Sequence, residues 1–261
     1  MYSKKINLIY FSPTGNTRQI VETIAKGLAI APINIIDLTK SEVPETVIDN
    51  DSVTIIGMPV YAGRLPEVAV ERLHQLSSKG GFIVPVVSYG NRAYEDALLE
   101  LHDLTTAAGF ITLAAGAFVA EHSFSTKDYP IATGRPNQTD KEVAFKFGQS
   151  IAELLKSPKS HTVPTIPGHR PYKPRKASAP QAPETDADIC TLCRRCEEVC
   201  PTNAITITNT VETNKDLCIW CCACIKSCPE GARTFNTPAI HEVTNRLFTN
   251  CQTPLKPEVF L

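Results

Sequence analysis

Ile6-Asn7-Leu8-Ile9-Tyr10-Phe11 runs straight into Ser12-Pro13-Thr14-Gly15-Asn16-Thr17, and from Thr17 to Leu28 the residues follow an amphipathic helical pattern. A short β-rich run that passes through a glycine-containing turn into a helix is the opening unit of an α/β domain with a parallel sheet. The alternation continues outward to about residue 156. Strands are predicted at Ile33 to Asp37, Ser52 to Gly57, Gly81 to Ser88 and Ile111 to Val119, and helices at Pro66 to Leu76, Ala93 to Ala107 and Lys141 to Leu155. Five strands with intervening helices fit a doubly wound α/β sheet of order 2-1-3-4-5. Ligands of such a sheet sit beyond the carboxyl ends of its strands, where the order reverses, so the loops after strands one, three and four carry the functional reading.

The first loop offers the backbone of Gly15 and the side chains of Ser12, Thr14, Asn16 and Thr17 at the start of a helix. Backbone N–H groups at such a turn favour a phosphate, and the hydroxyls add donors. An N-cap at Asn16 or Thr17 accounts for some of the same residues, but six matched positions at the switch point favour the phosphate. No basic residue stands inside the loop, and the lysine of the nucleoside triphosphate loop is missing, which points to the phosphate monoester of FMN. After strand three comes Pro59-Val60-Tyr61-Ala62-Gly63, and after strand four Ser88-Tyr89-Gly90-Asn91-Arg92-Ala93-Tyr94. As a set these supply aromatic faces for a flat ring and glycines that let backbone polar atoms reach its edge. Taken singly, each tyrosine reads almost as well as a plug for a loop end. A fourth loop, Glu121-His122-Ser123-Phe124-Ser125, follows strand five, with His122 as a flavin or substrate contact or as an ordinary hydrogen-bonded histidine. A second G-x-G-x-x-G is absent, so no nicotinamide cofactor is expected.

Further along, Cys190-Thr-Leu-Cys193-Arg-Arg-Cys196-Glu-Glu-Val-Cys200-Pro201 recurs as Cys218-Ile-Trp-Cys221-Cys222-Ala-Cys224-Ile-Lys-Ser-Cys228-Pro229. Both copies match C-x2-C-x2-C-x3-C-P, in which three thiolates converge on one [4Fe-4S] cluster and the fourth serves the cluster of the other half. Crossed ligation is expected: Cys190, Cys193, Cys196 and Cys228 on one cluster, and Cys218, Cys221, Cys224 and Cys200 on the other. Zinc ribbons use two C-x2-C pairs and need neither the extra cysteines nor the proline. Cys222 competes with Cys221 as a ligand, although the spacing of the first motif favours Cys221 and leaves Cys222 a buried spectator. Cys251 has no assigned role.

With 26 basic residues against 27 acidic ones, the chain has no charge excess that argues for nucleic acid. No apolar stretch approaches a membrane span, and the run from Ile6 to Phe11 is too short for a signal-peptide core. Ten cysteines in this context read as metal thiolates in a reducing cytoplasm. Residues 157 to 185 hold prolines 158, 164, 167, 171, 174, 180 and 183 among mostly basic charges, the composition of an extended linker. Solvated linker is the commoner reading of those charges; docking on an acidic surface is the other. The polar tail, residues 237 to 261, is unassigned, with a return across the N-terminal domain as one option.

Residues 1 to 156 resemble flavodoxins, whose phosphate loop Thr/Ser-x-Thr-Gly-x-Thr is met by Ser12, Thr14, Gly15 and Thr17. Residues 186 to 236 resemble bacterial two-[4Fe-4S] ferredoxins, small α+β domains, and the combination resembles the flavodoxin-ferredoxin fusion family of anaerobic bacteria. The resemblance implies FMN and two [4Fe-4S] clusters in one cytoplasmic electron-transfer chain that serves redox-partner proteins, with a homodimer left open. The alternative is an FMN-dependent reductase of a quinone, nitro compound, ferric complex or free flavin. One departure stands out. Flavodoxins usually carry an acidic Gly-x-Gly-Asp type loop beside the ring, whereas this chain has Gly90-Asn91-Arg92, whose guanidinium would favour anionic flavin.

Overall fold

The computed structural model describes residues 5–40, 43–156, 162–175 and 179–261. Strands β1 (Lys5–Tyr10), β2 (Ile33–Asp37), β3 (Ser52–Pro59), β4 (Phe82–Tyr89) and β5 (Ala115–Val119) are parallel neighbours in the order β2-β1-β3-β4-β5. Along β1, Ile6, Leu8 and Tyr10 join one core cluster and Ile9 joins the other. Strands buried on both faces read as nearly continuous apolar runs, which is why the sheet shows in the sequence. Helices α1 (Asn16–Leu28) and α4 (Gln138–Leu154) cover one face, and α2 (Glu67–Leu73) and α3 (Ala97–Ala107) supply the other cluster. Gly27 and Gly148 let α1 and α4 meet backbone to backbone, since a Cβ on either would collide with a carbonyl of the opposite helix.

The sheet differs from five parallel strands in two ways. The expected fifth strand is divided, with Ile111–Thr112 pairing β4 separately from β5. A sixth strand comes from the tail and pairs antiparallel to β5, with Glu258 opposite Ala117 and Phe260 opposite Ala115. Strand β5 would otherwise present an open edge of N–H and C=O groups, and the tail covers it.

Between sheet and tail lies a small cysteine-bearing unit built twice. Its strands are β6 (Glu184–Thr185), β7 (Ile205–Ile207), β8 (Val211–Thr213) and β9 (Arg233–Thr234), and its helices are α5 (Arg195–Glu198) and α6 (Ala223–Lys226). β7 pairs β8 and β9 pairs β6, both antiparallel. Helix α7 (Pro238–Asn250) leads to the tail strand, β10 (Glu258–Phe260). Among the described residues no helix is long and apolar enough to cross a membrane.

The described part of the proline-rich segment is docked, not solvated. Asp96 accepts the backbone N–H groups of His169 at 2.9 Å and Lys173 at 2.6 Å, and Asp103 pairs with Arg170 and the Tyr172 hydroxyl. Arg175 and Arg64 share the buried Glu100 carboxylate. The basic charges of the segment thus answer carboxylates on and beside α3, whose acidic face had no visible partner in the local sequence. Residues 157–161 and 176–178 of the expected linker lie outside the described residues.

Candidate functional site

At the end of β1 the Gly15 N–H donates to the Ser12 carbonyl at 3.2 Å, and Gly15 turns left-handed at φ 85° to start α1. A Cβ at Gly15 would meet nothing within 4 Å, so glycine is needed here for its conformation and not for space. The Ser12 hydroxyl accepts the Arg18 N–H at 3.0 Å, and no side chain caps the helix from Gly15. The N–H groups of Asn16 and Thr17, in the first turn of α1, have no acceptor within the helix. They face outward with the positive end of the helix dipole behind them, an anion site made of neutral groups. Around this turn the Thr17 and Ser88 hydroxyls are 2.7 Å apart, the Asn16 amide donates to the Glu121 carbonyl, and the Ser12 N–H donates to the Thr39 hydroxyl. The loop is thereby tied to the strand-four and strand-five loops and to Thr39.

The strand-three loop is joined to this site by Val60, whose N–H donates to the Ser88 carbonyl at 2.9 Å. Beyond Pro59 and Val60, Tyr61 and Arg64 exchange backbone hydrogen bonds across Ala62 and Gly63, both at positive φ, which makes a tight two-residue turn. Burial pushes the Tyr61 hydroxyl well above the usual tyrosine range, and Cys221, Cys222 and Cys218 push in the same direction.

The strand-four loop departs furthest from expectation. Asn91 donates to the carbonyls of Cys251 at 2.7 Å and Thr253 at 3.0 Å and accepts the Leu255 N–H at 2.8 Å, so its side chain holds the tail. Tyr94 donates to Glu258, and Tyr89 is packed edge-on against it at 5.4 Å with its pKa pushed by burial to about 12. Arg92 is ion-paired with Glu95, which offsets the positive charge expected beside the ring. Asn91 and Tyr94 pair with a tail some 160 positions away, a contact no local pattern signals. Tyr89, Arg92 and Tyr94 also line a groove of about 600 Å³ with Pro167, His169 and Leu255, to which the phosphate loop contributes nothing.

Gly90 stays with the site, because a Cβ there would strike the His122 ring. His122 accepts the Phe124 N–H on Nδ1 at 3.0 Å, which leaves the proton on Nε2. Burial lowers its pKa to about 4, and the cations Arg92 and Lys226 add to that, so it is a neutral donor at ordinary pH.

In the small unit Cys190, Cys193, Cys196 and Cys228 line one cavity. Burial raises Cys218 and Cys221, the latter to about 12, and the nearby Cys224 and Cys200 act in the same direction on both. Leu192 and Trp220, Arg194 and Cys222, and Asn203 and Gly231 hold matching positive φ values at matching places in the two motifs. That match makes Cys222 the counterpart of Arg194 and Cys221 the counterpart of Cys193. Cys222 is buried, with its thiol directed to the Trp220 carbonyl at 3.6 Å.

Arg233 was not among the predicted site residues. It is 2 % exposed, donates to the hydroxyls of Thr185 and Thr213, lies 3.8 Å from the Cys224 sulfur, and lines the cavity of the first four cysteines. Its Nε is buried without a partner. A buried guanidinium needs an anion, and the thiolates and sulfides of iron-sulfur clusters are anions of the right place and sign. The residues present therefore fit such clusters. Each cysteine of a four-iron cube binds a different iron, so the sulfurs surround a space; among the described residues no three His, Cys, Asp or Glu side chains converge on a single ion. The signal for Arg233 was available: with the motifs superposed on their cysteines, it stands where the first half has the apolar Ile205.

Residues 183–206 match the family model of the 4Fe-4S binding domain. No curated protein matches the chain. Among solved structures it is similar to a flavodoxin from the domain Archaea (16% identity, 58% of this chain and 99% of that one, TM-score 0.40). It is also similar to the Flv1 flavodiiron core from Synechocystis sp. PCC6803 (20%, 60% and 37%, TM-score 0.43). A third likeness is to the two-electron reduced Megasphaera elsdenii flavodoxin (17%, 57% and 98%, TM-score 0.37). The chain spans only 37% of the flavodiiron core. The chain thus joins a doubly wound sheet of flavodoxin-like strand order to a unit whose residues 183–206 match the 4Fe-4S binding domain.

Proposed function

We propose that this protein is an electron-transfer flavo-iron-sulfur protein, with FMN at the phosphate loop and two [4Fe-4S] clusters held by crossed cysteines. The reading is carried by one observation: the second cysteine motif is docked on the loops that form the candidate flavin site, with the Lys226 ammonium 2.9 Å from the Glu121 carboxylate and 2.7 Å from the Ser125 carbonyl. Bound there, FMN exchanges one or two electrons where each cluster exchanges one, so the pair converts between single-electron and two-electron traffic. The chain's own part is to hold the phosphate on the N–H groups of Asn16 and Thr17, to keep His122 neutral, and to exclude water with the Glu121–Ser125 loop. On the alternative reductase reading, that loop would be the lid of a substrate pocket. Tied to Asn16 on one side and Lys226 on the other, it favours electron transfer over an open substrate site. The partners on this reading are donor and acceptor redox proteins.

Anaerobic purification, mass analysis of the released flavin and a spectroelectrochemical titration test the proposal. One FMN and two [4Fe-4S] clusters per chain are expected; FAD as the main flavin, or one cluster, refutes it. Cys200→Ser separates crossed from uncrossed ligation. It should disturb the cluster of Cys218, Cys221 and Cys224 and spare the other.

A further inference from the structure

The contacts between the small unit and the sheet gather around one of the two cysteine sets. Pro201, next to Cys200, accepts on its carbonyl from Arg72 of α2. Ile219, between Cys218 and Cys221, packs against the core cluster of the sheet domain. Lys226, between Cys224 and Cys228, reaches Glu121 and Ser125, and the Glu121 carbonyl in turn accepts from Asn16 of the phosphate loop. Trp220 stands edge-on to Phe235 at 6.3 Å, and Phe235 to Phe124 of the strand-five loop at 6.2 Å. The other set looks outward, with Cys193 exposed and Leu192 at 40% exposure on the rim of its cavity.

We infer that the two cysteine sets are successive stations of one path: Cys200, Cys218, Cys221 and Cys224 form the inner, flavin-side station, and Cys190, Cys193, Cys196 and Cys228 the outer one, where partner proteins exchange electrons. The inference rests on the flavo-iron-sulfur reading above. Electron exchange weakens steeply with distance, so the station docked on the sheet domain is the one to serve the flavin, and the one with Cys193 exposed is the one a partner reaches.

The test uses the full-length holoprotein in an anaerobic redox titration followed by electron paramagnetic resonance, with a water-soluble dysprosium chelate as relaxing agent. Leu192→Glu sets a carboxylate at the outer rim and should lower the midpoint of one cluster signal. The chelate should shorten the relaxation of that same signal more than the other. Ile219→Asn, between Cys218 and Cys221, should shift the remaining signal and leave the Leu192-sensitive one in place. Leu192→Asn, with its smaller electrostatic change, serves if the glutamate variant fails to assemble. The order is overturned if Ile219→Asn moves the Leu192-sensitive signal or neither signal, or if the chelate relaxes the Ile219-sensitive signal more strongly. Loss of the underlying reading looks different, because the unmutated protein would then lack FMN or show a single cluster.

Discussion

A guanidinium with an unpartnered Nε at 2 % exposure is costly unless a negative group meets it, and this makes Arg233 informative. Reduction adds negative charge to a cluster, and a nearby fixed cation favours it. Arg233→Met should therefore lower the potential of the cluster that includes Cys224 by on the order of 100 mV, or ~2 kcal/mol for one electron, measured in a redox titration. Gly15 offers a second test. At φ 85° any other residue is strained, so Gly15→Ala should cost about 1 kcal/mol in stability and loosen FMN, read as flavin lost on gel filtration. At this scale the phosphate loop and the cysteine spacings were legible, because each rests on a local backbone geometry that a few neighbouring residues determine. The roles of Asn91 and Tyr94 were not, because their partners are Cys251 and Glu258, far along the chain.

Among the elements, the docked segment 162–175 makes a claim about pH. Burial works to raise the pKa of Asp96, but the backbone N–H bonds from Lys173 and His169 outweigh it and hold the carboxyl below the ordinary range. A carboxylate lowered in the folded state contributes stability that is complete above its ordinary pKa of about 4 and is lost as pH falls through the lower folded value. Below that range the segment should detach, seen as faster hydrogen exchange at the His169 and Lys173 amides. Asp96→Asn should produce part of the same loss at neutral pH, about 1–3 kcal/mol, since hydrogen bonds to a charged acceptor are the stronger kind. The segment's composition read as a solvated linker because its proline and basic residues are the same in either state. What decides between them is the row of carboxylates at Glu95, Asp96, Glu100 and Asp103, which the fold brings alongside. Strands β1, β3 and β4 were legible for the opposite reason, each being a buried apolar run complete in itself.

Across the whole molecule, the sheet is built from both ends of the described chain, with the cysteine-bearing unit between them in sequence. A chain ended after Asn250 loses β10 and with it the partners of Asn91, Tyr94 and β5. It should melt several degrees lower and self-associate through the bared edge of β5, checked by calorimetry and sedimentation. Residues 1–156 alone should behave no better, although their sequence reads as a self-sufficient domain. The antiparallel seam between β5 and β10 also sets a clock. Domains ordinarily fold as the ribosome delivers them, first residues first. Here the ribosome makes the closing strand only after the whole cysteine-bearing unit, so the edge of β5 waits uncovered until that unit has been delivered. Closure of the sheet is the last event in the direction of translation.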